Sequence, residues 1–467
     1  MAIILGLLLL TGQPLIAHSQ PVDKCRIDGT KYSALSLGFP VKTERLNHLA
    51  KPRILVLPYQ AKDEPDFKLD PIQKDIFTQS AEDIRRLSSN QSNVEFIFHP
   101  TIKLSLTTAE VNDLKINDGK TYLKDFEKSQ FGSVAKIIQD YDSTIDYTNI
   151  DGVVLIGASQ TTQIEIASAL QYTKDPEFIG NETKRPDGKP WFSPIVTNEK
   201  EIANVVLMYN RFNSNVLTHE LMHNYGLTDL YGRKTTPPIS IMGSTTQSSL
   251  LPFEKWVLGW LPNSNVTCVD PNLELSQDPA KNRFVLDYSK GDHSMVIPTG
   301  SNTALIVDVA NSNDGISLVH YSLNNDSRPP LEIFPPSAKG DGSLFLTDLA
   351  GVSAQLKSPN YTLLVSENNG TSVTVNLIPN NAIDSKESVD LINASLLKKE
   401  ENLQLIKRKQ EAEAQKKAER ESEKNLSDAQ SAGKSSAKKS TITCTKGKLV
   451  KKISGPKAKC PKGYVKK

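Results

Sequence analysis

The sequence has no two cysteines at C-x-x-C spacing, no apolar run of membrane-spanning length, and no acidic residue from Ser431 to its end. The first absence argues against a cysteine-built zinc cluster. Cys25, Cys268, Cys444 and Cys460 form an even set, which in an exported chain favours disulfides. Local pairing of Cys444 with Cys460 leaves Cys25 for Cys268, a bridge from the mature N-terminus to the far side of the central region; the rival is a Cys25 thiolate that masks a metal. The second absence excludes a transmembrane helix, because the apolar run Ala2–Leu10 is nine residues long where a span needs about 20. The third segregates charge. Twelve lysines from Ser431 onward, in a chain of net charge +2, leave −10 on the rest.

With 467 residues, 38% hydrophobic and 23% charged, the composition is that of a globular protein of two or three folded units. Residues 1–19 read as a signal peptide, with the apolar run ahead of Ala17-His18-Ser19, although no Lys or Arg precedes it. The mature chain is therefore expected to be secreted and extracellular, or associated with the cell envelope. Residues 20–50 form a short N-terminal segment. From 51 to 265 strand-like runs such as RILVLPYQ (53–60), NVEFIFHP (93–100), DGVVLIGAS (151–159) and NVVLMYN (204–210) alternate with helical periodicity over 70–90 and near 122–141. That is an α/β arrangement. From 266 to 379 short strands separated by Gly, Asn, Asp, Ser and Pro predict an antiparallel β-sandwich-like domain.

Residues 380–440, rich in Ala, Glu, Lys and Gln with almost no large apolar residue after Ile406, read as a charged linker, either one solvated helix or disordered. A coiled coil would need sustained apolar a and d positions, which are missing. Residues 441–467 form a basic tail with the Cys444–Cys460 pair. On an exported protein such a tail is drawn to anionic polymers such as teichoic acids, to acidic polysaccharide or to a membrane surface, by salt-sensitive attraction; nucleic acid is not the favoured partner.

The densest chemistry lies in LTHELMHNYGLTDLYG, Leu217–Gly232. On a helix, His219 and His223 project from one face, where two imidazoles can meet one ion, and Glu220 is offset enough to stay off the metal yet hold a water as general base. A catalytic site needs a third protein ligand. Asp229 is the first choice, because Gly226 can take the left-handed conformation that ends the helix and turns the chain back; the rival is Glu254. H-E-x-x-H arises by chance in about 1% of such chains, and the version extended by Gly and Asp far more rarely. His48, His99, His293 and His320 stand singly and read as packing or surface residues. Asn181, Asn265 and Asn369 begin Asn-x-Ser/Thr sites.

H-E-x-x-H-x-x-G-x-x-D, from His219 to Asp229, resembles the aspartate-ended metzincin zinc signature of snapalysin-like and immune inhibitor A-type peptidases. Asp229-Leu230-Tyr231, Ser240-Ile241-Met242-Gly243, Glu254-Lys255-Trp256-Val257-Leu258-Gly259-Trp260 and the upstream YDSTIDYTNIDGVVLIGAS extend the resemblance to that second family. It implies a metzincin-like catalytic domain, a twisted sheet plus an active-site helix, covering about 50–265. It further implies one catalytic zinc ion (Zn2+) held by His219, His223 and Asp229, Glu220 as general base, Met242 as an apolar floor beneath the ion, and Glu254 and Lys255 on a helix of the lower subdomain. The activity implied is that of a zinc-dependent endopeptidase acting on protein or peptide substrates. Two departures are visible: Thr228 stands where family members often carry proline, and residues 20–50 are short for an inhibitory propeptide. The alternative is a catalytically inactive extracellular binding protein in which the metal is structural.

Overall fold

The structure, a computed structural model, describes residues 21–29, 35–110, 134–158, 167–174, 192–209, 212–231, 239–270, 273–312, 315–327, 329–334, 343–345, 354–434, 440–455 and 457–467. The expected signal peptide and Asn181 lie outside the described residues. The chain divides into two compact units, Met1–Lys399 and Glu400–Lys467. It is a mixed α/β protein, built mostly of strands. Among the described residues no helix is long and apolar enough to cross a membrane.

The first sheet has six strands: β1 (Arg53–Gln60), β2 (Glu95–Phe98), β3 (Gly152–Gly157), β4 (Ala167–Gln171) and β5 (Asn204–Tyr209) lie in the order β2-β1-β3-β5-β4, and the two-residue strand Ile102–Lys103 also pairs with β1. Neighbours run parallel except β4, which pairs antiparallel with β5 at the edge. All six residues of β3 are buried, as continuous apolar runs in a sheet covered on both faces require. One face packs against α1 (Pro71–Leu87) and α2 (Ser214–Tyr225), and Phe77, Ile84, Leu217 and Leu221 share its core. The other carries a separate cluster that includes Leu155, Leu207 and helical Val134 and Ile138. Helix α1 starts where Asp70 and Gln73 cap each other reciprocally ahead of Pro71, satisfying amide groups that the first turn leaves unpaired.

Beyond α3 (Pro252–Val257) two further sheets follow. One comprises β6 (Val266–Cys268), β8 (His293–Pro298), β9 (Thr303–Ser312), β10 (Gly315–Asn324), β11 (Leu331–Ile333) and the short strand Ser343–Phe345, which pairs with β10; the other, β7 (Arg283–Asp287), β12 (Gln355–Lys357), β13 (Tyr361–Asn368) and β14 (Ser372–Pro379). Leu286, Met295, Val307, Leu363 and Val375 fill the space between them, giving the sandwich that the short-strand spacing predicts. The pairing is antiparallel but for β6, which lies parallel to β8. Strand alternation then has a consequence: Val296 and Ile306, pointing away from the sandwich core, join the same cluster as Leu221, Met242 and Trp256. Packing is continuous across residue 265.

The N-terminal segment is stitched into this core. Cys25 is disulfide-bonded to Cys268, Ile27, Leu37 and Leu46 are buried, and Asn325 accepts from the Leu37 N–H at 3.1 Å. Fully buried Arg45 donates to Asn204 Oδ1 at 2.9 Å and to the Tyr172 carbonyl. In the linker region the structure has one 49-residue helix, α4 (Lys386–Lys434). The tail is a three-stranded sheet of β15 (Ser440–Lys446), β16 (Leu449–Gly455) and β17 (Val465–Lys466), closed by the Cys444–Cys460 disulfide.

Candidate metal centre

Helix α2 begins at Asn213, whose side chain accepts from the Val216 N–H at 3.0 Å, and is buried from Leu217 to Tyr225. Gly226 ends it at φ +119°, with its N–H turned back to the Met222 and His223 carbonyls. The left-handed cap is the one the glycine predicts. A Cβ on Gly226 would lie 2.5 Å from Val41 Cγ1, so the site requires glycine for space as well as for conformation. The bend carries Asp229 back over the helix.

His219, His223 and Asp229 thereby form one group whose ligand atoms all lie within 4.8 Å of one another. Each Nε2 is 3.2 Å from the same oxygen, Asp229 Oδ1, and the two rings stand nearly perpendicular with centroids 4.9 Å apart. Their outer nitrogens are committed: His219 Nδ1–H donates to the Ile241 carbonyl and His223 Nδ1–H to the Leu227 carbonyl, each at 2.8 Å. A carbonyl can only accept, so in the neutral rings each Nε2 presents a lone pair. Two lone pairs and a carboxylate oxygen then face one point without a donor among them, and Asp229 Oδ1 is shielded from solvent with no hydrogen bond of its own among the described residues. Only a positive charge at that point makes the arrangement favourable.

The residues therefore fit a metal ion. The N2O donor set suits several first-row divalent ions. A proton can stand in for the ion. Burial works against a charged His223, yet the Asp229 carboxylate beside it raises its pKa to about 9. Asp229 is likewise opposed by burial, yet the two histidines hold it well below the usual carboxylate range.

Glu220 is 9% exposed and lies beside the group. Burial raises its pKa above the ordinary value, while His223, His219 and the backbone of Ala169 on edge strand β4 pull it down. Of the two nearby tyrosines, Tyr225 is packing: it is fully buried, its hydroxyl 2.5 Å from Ser92 Oγ and its ring against Trp260. Tyr231 is 54% exposed and its ring stacks on His219, 5.9 Å between centroids.

The turn Ser240–Gly243 supports the group from beneath. Met242 is fully buried; its carbonyl accepts from the Leu230 N–H at 2.9 Å, next to Asp229, while the Ile241 carbonyl orients His219. The turn thus touches His219 directly and reaches Asp229 through its neighbour Leu230. Glu254, the rival third ligand, is engaged elsewhere: its Oε2 accepts from Ser240 Oγ at 2.6 Å and the Leu251 N–H at 2.7 Å. Ser240 Oγ in turn accepts from the Met242 N–H at 3.1 Å. Close by, fully buried Asp308 on β9 accepts from Tyr321 OH at 2.7 Å and the Phe253 N–H at 3.3 Å.

Sequence reasoning missed this Glu254–Ser240 support and its Asp308 neighbour. A serine two residues before a methionine, and a glutamate three after a helix start, were the only local signals. Nothing local marks Asp308. Of the single histidines, His293 accepts from Thr267 Oγ1 or donates to it at 2.9 Å, and His320 Nδ1–H donates to the Ile306 carbonyl; neither lies in the group that could hold a metal.

What fold and site together define is a mixed α/β protein with a His-His-Asp group able to hold a metal ion. Comparison with known proteins finds no matching family and no matching curated protein.

Proposed function

We propose that this chain is a secreted zinc-dependent endopeptidase of metzincin type, with His219, His223 and Asp229 as the zinc ligands and Glu220 as general base. One observation carries the reading: three buried acceptor atoms converge on one point with no donor among them, and a carboxylate whose protonation burial favours sits beside them. When bound, the ion supplies Lewis-acid polarisation of a peptide carbonyl and lowers the pKa of coordinated water.

The chain's own residues do the rest. Glu220 takes the proton from the attacking water and passes it to the leaving amine, a task suited to a carboxylate whose pKa burial raises. Ile241 and Leu227 carbonyls keep both imidazoles in the tautomer that leaves Nε2 unprotonated. No covalent nucleophile is needed.

Metal analysis paired with hydrolysis of casein tests the proposal. The purified chain should carry about one zinc ion and lose activity to a chelator. Glu220→Ala should keep the metal while hydrolysis falls by about 10²-fold or more, and His219→Ala should lose both. Full hydrolysis by Glu220→Ala removes Glu220 from its role; a chain that binds metal yet cleaves nothing in a broad peptide library supports the structural-metal alternative.

A further inference from the structure

The C-terminal sheet spends its charge on nothing inside itself. From Ser440 to Lys467 there are nine lysines and no acidic or arginine residue, and all nine lysines are exposed. Self-repulsion of this density opposes compactness; the Cys444–Cys460 disulfide holds the sheet together against it. Among the module's described residues, Cys444 is the one fully buried apolar side chain.

Register shows how the charge is distributed. Lys451 and Lys466 are the cross-strand partners of Cys444, and Lys446 pairs with Leu449, so these three lysines share one face. Lys452 pairs with Thr443, on the opposite face. Lys467, whose N–H donates to the Thr443 carbonyl at 2.9 Å, alternates to that face as well. Lys457, Lys459 and Lys462 lie in the loop between β16 and β17. The cations surround the sheet.

We propose that this module is a docking element for a flexible, linear polyanion carrying one anionic group per repeat, such as a poly(glycerol phosphate) chain. A flat bilayer reaches only one face of a sheet, whereas a flexible chain can wrap round and neutralise both. Tyr464 is the module's only aromatic residue, so it has no row of stacking rings for single-stranded nucleic acid, and it offers no helix to a major groove. Lysine in place of arginine fits the same partner. An ammonium is a compact point charge that tolerates variable geometry, while a guanidinium is suited to planar, bidentate recognition.

The test uses the full chain, titrated with poly(glycerol phosphate) over a salt series. Beside it run a Lys446→Gln, Lys451→Gln, Lys466→Gln variant that clears one face and a Lys452→Gln, Lys467→Gln variant that thins the other. Non-reducing peptide mapping of Cys444–Cys460 checks the fold of each. Each variant is expected to bind roughly tenfold more weakly, with the slope of log affinity against log salt reduced by about one per lysine removed. Phosphatidylglycerol vesicles should bind more weakly than the polymer. The proposal is overturned by absence of polymer binding at low salt, by vesicles binding more tightly than polymer, by dependence on one face alone, or by indifference to both variants combined.

Discussion

Among single residues, Asp229 and Glu220 divide the site between holding and reacting. Asp229→Asn keeps the shape but removes the negative charge that draws both imidazoles together at 3.2 Å. Metal affinity should fall by about 10- to 100-fold or more, read by competition with a chromogenic chelator; unchanged affinity would hand the third ligand position to another residue. Glu254 offers a different readout. Its carboxyl is fully buried, and burial lifts its pKa from 4.5 to about 7, with Asp308 adding to the rise; Asp308 is lifted by burial to about 7 as well. Folding therefore raises the proton affinity of both groups. Stability from this pair is fully present below about pH 4 and is lost as pH climbs through about 7. Glu254→Gln, a neutral isostere, should flatten that loss in thermal unfolding measured from pH 4.5 to 8. Glu254→Ala should instead loosen the Ser240–Gly243 turn and weaken metal binding, because Ser240 Oγ loses the oxygen to which it donates.

At the scale of elements, the decisive feature is the end of α2. Gly226→Ala would force an alanine to φ +119° and drive its Cβ to 2.5 Å from Val41, a cost of roughly 1–3 kcal/mol. Because the Leu227 carbonyl that orients His223 follows directly, the same change should lower metal affinity, measured alongside denaturant unfolding. Adding Val41→Ala relieves the contact but not the dihedral, so rescue should be partial. The helix pair on one face and the glycine cap were legible in the sequence because they depend on contacts four residues apart or fewer. The approach of the Ala169 backbone to Glu220 was not legible, since it requires β4 to add to the sheet beside β5. Nor did periodicity show that the strands after residue 265 would serve two cores at once; alternation marks two faces of a strand without saying that both are covered.

For the whole molecule, the N-terminal segment matters more than its length suggests. Its bridge from Cys25 to Cys268 spans 243 positions, and constraining so long a loop in the unfolded chain stabilises by about 2–5 kcal/mol. Replacing both cysteines with serine should lower the midpoint of denaturant unfolding accordingly. Arg45, buried against Asn204 and the Tyr172 carbonyl, and Val41 beneath Gly226 make the stretch from Val41 to Arg45 part of the support of α2. A chain trimmed to residue 51 should therefore unfold more readily and hold metal less well, as calorimetry with and without added zinc would show.

The sequence by itself determined the class of elements and the convergence of His219 and His223, because hydrophobic period and an i, i+4 step are local facts; its even cysteine count favoured disulfides, and the structure fixed which cysteines pair. Only the tertiary structure decided that Asp229 rather than Glu254 faces the imidazoles, that Glu254 serves the turn beneath them, and that lysines flank both faces of the terminal sheet. Those outcomes depend on which distant strands pair and in what register, and a one-residue shift of register reverses every side chain in a strand.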